Sequence, residues 1–175
     1  MELRSNFRFI EKLDINQVLN HLPNPSDPVW QRSTYRQDNY NVHKKTRSLL
    51  FYSSFKNEVY MDMELLKTPL GVEVMKLVEH VKSFYPTTFI SKLIIASLPA
   101  GEKVGEHTDE LGLRDIHRIH IPLVTNTNCF YIIEKISYHF PPGFCFEFDN
   151  TRFHKVENDG NQERLHIILD LTPEK

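Results

Sequence analysis

The stretches FISKLIIASL (89–98), HRIHIPLV (117–124), CFYIIEKI (129–136), GFCFEFD (143–149) and RLHIILDL (164–171) decide the fold class. Each is short, rich in β-branched and aromatic residues, and bounded by turn formers, with little helical periodicity between them. Closely spaced strands of this kind predict a mainly β domain, a sandwich or barrel. Upstream the pattern changes. GVEVMKLVEHVKSF (71–84) sets Val74, Leu77, Val78 and Val81 at i, i+3, i+4 and i+7, which predicts a helix packed outside the strands. NVHKKTRSLLFYS (41–53) reads as a strand. HLPNPSDP (21–28) reads as a loop, because its prolines fix φ and remove donors. Asp14 is expected to cap a short helix carrying Val18 and Leu19 inward.

A chain of 175 residues suits one domain with a real core. Residues 1–175 are accordingly taken as one unit, with 1–86 flanking a core barrel at 87–175. A formal net charge of −2 offers no general attraction to nucleic acid or to an anionic membrane, so a small molecule is the expected partner. Cys129 and Cys145 both lie in apolar runs without a CxxC spacing, which points to free thiols and a reducing, cytoplasmic setting. MELRSNFRFIEKLD (1–14) lacks the apolar core of a secretory signal, and no run reaches membrane-span length. Oligomeric state leaves no trace in the sequence.

His107 and Asp109 are two residues apart. On an extended segment their side chains share a face, so an imidazole and a carboxylate converge without a special turn. His154, in FDNTRFHKVEN (148–158), supplies a second imidazole. Two histidines and one carboxylate on one side of a metal leave coordination positions free, the arrangement suited to non-haem iron(II) and O2 chemistry. Arg164 opens an apolar strand, where a cation is costly unless an anion meets it. A carboxylate-bearing cosubstrate would satisfy its planar fork, and so would an internal acid such as Asp170 or Glu147. Arg118 and His120 share one face of the next polar-apolar alternation, facing either the cosubstrate's metal-proximal carboxylate or solvent at a sheet edge. Asp149, in the turn-forming FEFDN (146–150), either orients a ligand or stabilises its turn.

These residues, taken as HTDELGLRDIHRIHIPLVTN (107–126) and FEFDNTRFHKVENDGNQERLHIILDL (146–171), resemble the aspartyl/asparaginyl β-hydroxylase family of iron(II)/2-oxoglutarate oxygenases. The likeness is strongest to the bacterial branch that includes free-proline cis-hydroxylases. The shared pattern is HxD, then RxH, then FDN with a later His and Asn, and a final RxH before a closing Asp. LPAGEKVGEH (98–107) resembles the family's entry to the first histidine, and NVHKKTRSLLF (41–51) its N-terminal strand. The resemblance implies a double-stranded β-helix, or jelly roll, with flanking helices. It implies Fe(II) on His107, Asp109 and His154, and 2-oxoglutarate on Arg164, Arg118 and His120. It implies hydroxylation of an unactivated C–H bond with O2, releasing succinate and CO2. The family's animal namesake lacks the carboxylate ligand; Asp109 is present here, which implies a small-molecule hydroxylase rather than a halogenase. The family's 2-oxoglutarate serine has no clear counterpart near Ala96 and Ser97.

Two other classes share these residues. A cupin-like metal isomerase or hydrolase would dispense with 2-oxoglutarate, and a non-catalytic module would merely bind a carboxylate. The substrate, expected to be a free amino acid or peptide-like molecule, has candidate contacts in Trp30, Arg32, Tyr35, His43 and Arg47, with Arg47 or Arg32 for its carboxylate. Residues 110–114 are expected to form a lip over the site. His166 reads as a satisfied core histidine.

Overall fold

The computed structural model describes residues 5–55, 58–109 and 116–174. The chain opens with β1 (Phe7–Lys12), α1 (Asn16–Asn20) and α2 (Tyr35–Asn39), then β2 (Arg47–Phe55), β3 (Glu58–Met61), α3 (Met63–Lys67) and α4 (Pro69–Lys82). Strands then succeed one another almost without interruption: β4 (Thr88–Leu98), β5 (Lys103–His107), β6 (His117–Val124), β7 (Cys129–Ile133), β8 (Ile136–Tyr138), β9 (Phe144–Phe148), β10 (His154–Asn158) and β11 (Arg164–Pro173).

The strands form two antiparallel sheets. The large one runs β1-β9-β6-β11-β4-β2-β3 and the small one β5-β10-β7-β8. Leu98, Phe146 and Phe148 of the large sheet meet Val104, Tyr131, Ile133 and Val156 of the small sheet in one apolar cluster. The two sheets thus face each other as the walls of a double-stranded β-helix. On the other face of the large sheet, Val74, Val78 and Val81 of α4 pack against Leu93, Ile95, Ile119, Ile167 and Leu169. The large sheet is therefore covered on both sides. That explains why β6 is buried from Arg118 to Leu123 and β11 from Arg164 to Leu171.

The expected helix is present, starting two residues earlier than its apolar stripe suggested, with Thr68 capping Gly71 N–H and Pro69 in its first turn. Asp14 does bond the backbone of Asn16, but Ile15 is the capping position of α1. Three details differ from the sequence reading. Residues 41–43 form a short 3₁₀ turn, so the strand begins at Arg47. A second 3₁₀ turn, Pro28–Gln31, begins at the last proline of the Pro-rich stretch and is started by Asp27, which accepts from Val29 N–H. CFYIIEKI is a hairpin rather than one strand: Glu134 and Lys135 take φ of 49° and 67° and turn the chain between β7 and β8. Ordinary side chains hold this left-handed turn because Glu134 is tied to Phe153 twice, backbone N–H to carbonyl and carboxylate to N–H. Strands β1, β2 and β3 join the large sheet, so the N-terminal half contributes to the sheet itself. Cys129 and Cys145 are buried and free. Among the described residues no helix is long and apolar enough to cross a membrane.

Candidate metal centre and carboxylate site

His107 ends β5 and His154 begins β10, and the sheet register puts the two opposite each other. Asp109 follows His107, and its backbone N–H donates to Asn150 O at 3.0 Å, which ties it to the turn before His154. One oxygen of Asp109 lies 3.9 Å from His107 Nε2 and the other 3.7 Å from His154 Nε2. One ligand atom from each of the three residues falls within 4.8 Å of the others. The opposite ring nitrogens face backbone carbonyls: His107 Nδ1 is 2.7 Å from Gly105 O and His154 Nδ1 is 2.9 Å from Arg152 O. An imidazole that donates through Nδ1 presents a bare Nε2 to the cluster, which is the tautomer a metal requires.

The electrostatics agree with that role. Burial pulls the His154 pKa down to about 4, so the ring is neutral at physiological pH. Burial works to raise the Asp109 pKa, but Arg118, His154 and His107 together hold it far below the carboxylate range. Arg118 forms the brace. Its Nε and Nη2 each donate to Asp170 at 2.7 Å, and Nη1 bonds Asp109. The guanidinium is occupied by two carboxylates, which fixes Asp109 beside the two histidines. The solvated-edge alternative falls, since β6 lies inside the sheet between β9 and β11. Asp149 accepts from Thr151 and Arg152 and holds the turn.

Arg164 is buried at 4% exposure, and no carboxylate pairs with it among the described residues. The two acids that could have neutralised it are engaged elsewhere: Asp170 by Arg118, and Glu147 by Arg8, Tyr85 and His117. Arg164 instead donates to His166 Nδ1 at 2.8 Å and lies over the Tyr131 ring. His166 is therefore a satisfied buried ring, yet one that points the guanidinium. A small pocket is lined by Arg164, His166, Tyr131 and Thr125. His120, beside it, is stacked on Phe146, and its buried Nε2 has no hydrogen-bond partner among the described residues. A buried cation without an anion and a buried nitrogen without a partner are both costly, and a carboxylate ligand would relieve them. Asn158 bonds the carbonyls of Leu98, Pro99 and Gln162, fixing the loop that delivers Arg164.

The residues fit an iron(II) centre with a carboxylate cosubstrate: two imidazoles with Nε2 turned to the cluster, one ionised carboxylate, and a buried guanidinium without an acid partner among the described residues. The expected substrate contacts divide. His43 lies edge-on to His107, with ring centroids 5.5 Å apart. Trp30 is buried in the core on the helix side of the large sheet, its Nε1 donating to Asn24 O. Arg47 lies over Trp30 and pairs with Glu163. Arg32 forms exposed ion pairs with Asp62 and Glu64. These three do not join His107, Asp109 and His154. Tyr35 is exposed against Tyr40. The proposed lip at 110–114 lies outside the described residues. Sequence reasoning missed Tyr131, Arg36 and Lys92. Lys92 had a signal, a lone cation in the apolar run FISKLIIASL; Arg36 sits in a polar segment with none.

A profile of the Aspartyl/Asparaginyl beta-hydroxylase family matches residues 27–173. Among solved structures, the chain is similar to an oxidoreductase of the 2OG-Fe(II) oxygenase family from Burkholderia pseudomallei, with TM-score 0.54 and 12% identity, covering 73% of this chain and 67% of that one. It is also similar to the non-heme monooxygenase ThoJ in its nickel complex, with TM-score 0.50 and 14% identity, covering 63% of this chain and 56% of that one. At such identities the likeness concerns the fold. No curated protein matches the sequence.

Proposed function

This chain belongs to the aspartyl/asparaginyl β-hydroxylase family and is a hydroxylase, and from that premise we propose an iron(II)- and 2-oxoglutarate-dependent reaction at an unactivated C–H bond. The substrate would be a small amino-acid-like or peptide-like molecule, and O2 would be consumed with release of succinate and CO2. One observation carries the reading: Arg164 is a buried guanidinium with no carboxylate among the described residues, on the same inward-facing sheet that braces the His-Asp-His cluster. A structural ion pair would have used Asp170 or Glu147.

His107, Asp109 and His154 would hold the iron, which with 2-oxoglutarate supplies the oxidising power to break a C–H bond. The protein's own work is orientation. Asp170 holds Arg118, and Arg118 holds Asp109, so the single ligand carboxylate keeps its rotamer. Arg164 would receive the distal carboxylate of 2-oxoglutarate, with His166 and Tyr131 fixing its plane. His120 Nε2 offers a further polar contact to the same ligand. Phe146, Phe148 and Tyr131 keep water from the inner wall.

The test is stoichiometric. Purified protein with iron(II), 2-oxoglutarate and a panel of amino acids and short peptides should release succinate in step with a product about 16 mass units heavier, one oxygen atom gained. Conversion of a substrate without succinate would make the protein a metal isomerase or hydrolase, and binding without conversion a carboxylate-binding module.

A further inference from the structure

Directly opposed residues on antiparallel strands share a face. The register places Arg118, Asp170 and Lys92 in one row across β6, β11 and β4. Asp170 stands in the middle and gives both oxygens to Arg118. Lys92 is half-buried beside it and makes no ion pair or hydrogen bond among the described residues. A second cation arrives from α2. Arg36 Nη2 sits 3.2 Å from the His43 ring, and His43 abuts His107, so Arg36 reaches the same mouth. Its Nη1 is buried without a hydrogen-bond partner among the described residues.

The two cations crowd each other and their neighbours. Burial and the Arg36 charge bring the Lys92 pKa down to about 8. Burial and Arg118 bring Arg36 down to about 10. Among the described residues the carboxylates near them are Asp109 and Asp170, and Arg118 binds both. The next row runs His120, Ile168, Ile94 and Leu50, so beside Lys92 the β11, β4 and β2 positions are apolar. Arg36 and Lys92 are thus two further cations without a free anion among the described residues, beside the His-Asp-His cluster rather than beside Arg164. A free amino acid would bring a carboxylate for them but also an ammonium, for which this mouth holds no unengaged acid among the described residues.

We propose that Arg36 and Lys92 together bind a carboxylate of the substrate, and that the substrate is a net-anionic small acid, not a zwitterion. The proposal rests on the reading of the preceding subsection, because it takes this mouth to be where substrate meets the metal. It replaces Arg47 and Arg32 as the expected carboxylate partners.

The experiment is an anaerobic calorimetric titration of protein saturated with Mn(II) and 2-oxoglutarate. The probes are N-acetyl-amino acids, the same amino acids free, and the corresponding N-acetyl-amino acid amides. At least one N-acetyl acid should bind, more tightly than its free form and far more tightly than its amide. Arg36→Gln and Lys92→Gln should each weaken that acid by about tenfold or more, the scale of one charge-assisted contact. Lys92→Arg should keep most of the affinity. Binding of 2-oxoglutarate itself should persist in all three variants, which also reports that they fold. Amides binding as well as acids, zwitterions binding better, variants titrating like wild type, or no acid binding would each overturn the proposal. If 2-oxoglutarate fails to bind wild type, the proposed function falls on its own, and the same acids can still be titrated against the metal-free protein.

Discussion

The large sheet carries two buried polar clusters, one on each face, and they differ in one respect. On the helix face, Glu147 meets Arg8 at 2.6 Å, His117 at 2.7 Å and the Tyr85 hydroxyl at 3.0 Å. Every charge there has its partner within the chain. On the barrel face, Arg164 has no acid, His120 Nε2 has no hydrogen bond, and Arg36 and Lys92 share no carboxylate among the described residues. The first cluster is closed and joins β1, β6, β9 and the end of α4. The second is open. Since an unpaired buried charge costs several kcal/mol at most sites, an open cluster persists where a ligand completes it. Residue type does not separate the two, for both contain Arg, His and carboxylate; only the accounting of partners does.

The contrast can be broken most severely at Asp109. Asp109→Ala should lower metal affinity by more than about 100-fold, since even residues behind the ligands typically cost 10–100-fold; competition against a chelator measures it. Arg164→Met separates ligand binding from stability. It should weaken 2-oxoglutarate binding by roughly 2 kcal/mol. Without ligand, the variant should melt at or above the wild-type temperature, because replacing an uncompensated buried cation by an apolar side chain is commonly neutral or stabilising. A clear drop in the ligand-free melting temperature would show that Arg164 belongs to a closed cluster after all. Glu147→Gln should do the reverse, costing roughly 1–3 kcal/mol of stability while leaving 2-oxoglutarate affinity unchanged. Burial tends to raise the Glu147 pKa, but the His117 hydrogen bond and Arg8 prevail and hold it below the usual 4.5. A depressed folded-state pKa stabilises above the unfolded value, and that stability is lost as pH falls through the folded one. Acid denaturation of Glu147→Gln should therefore begin from a lower stability and fall less steeply below about pH 4.5 than wild type. Arg32→Ala, on an exposed and solvent-screened ion pair, should leave both the melting temperature and binding unchanged.

Much of the site was legible because the fold makes it from local spacing. His107 and Asp109 need only an extended segment, and His154 needs only the strand beside it. Arg164 stood out as a cation in an apolar run. The strands of the C-terminal half and α4 could be read from periodicity. What could not be read depended on long-range partners. That Asp170 pairs with Arg118 and not with Arg164 is a matter of register between β6 and β11, which no local pattern specifies. Arg36 lies in a short helix without periodic signal and gains meaning from the His43 ring beside it. Strand β1 was invisible because FRFIEK alternates imperfectly and pairs with β9, far along the chain. The left-handed turn at Glu134 and Lys135 carries no Asn-Gly signal; its cause is the tie to Phe153.

The most direct measurement tracks the visible charge-transfer band of anaerobic iron(II)-loaded protein as 2-oxoglutarate is added. Wild type should develop the band with saturation. Asp109→Ala should show none, and Arg164→Met should need roughly 30-fold more 2-oxoglutarate to reach it. A band that survives in Asp109→Ala, or an Arg164→Met titration that overlays wild type, would contradict the assignment of the open cluster to iron and its cosubstrate.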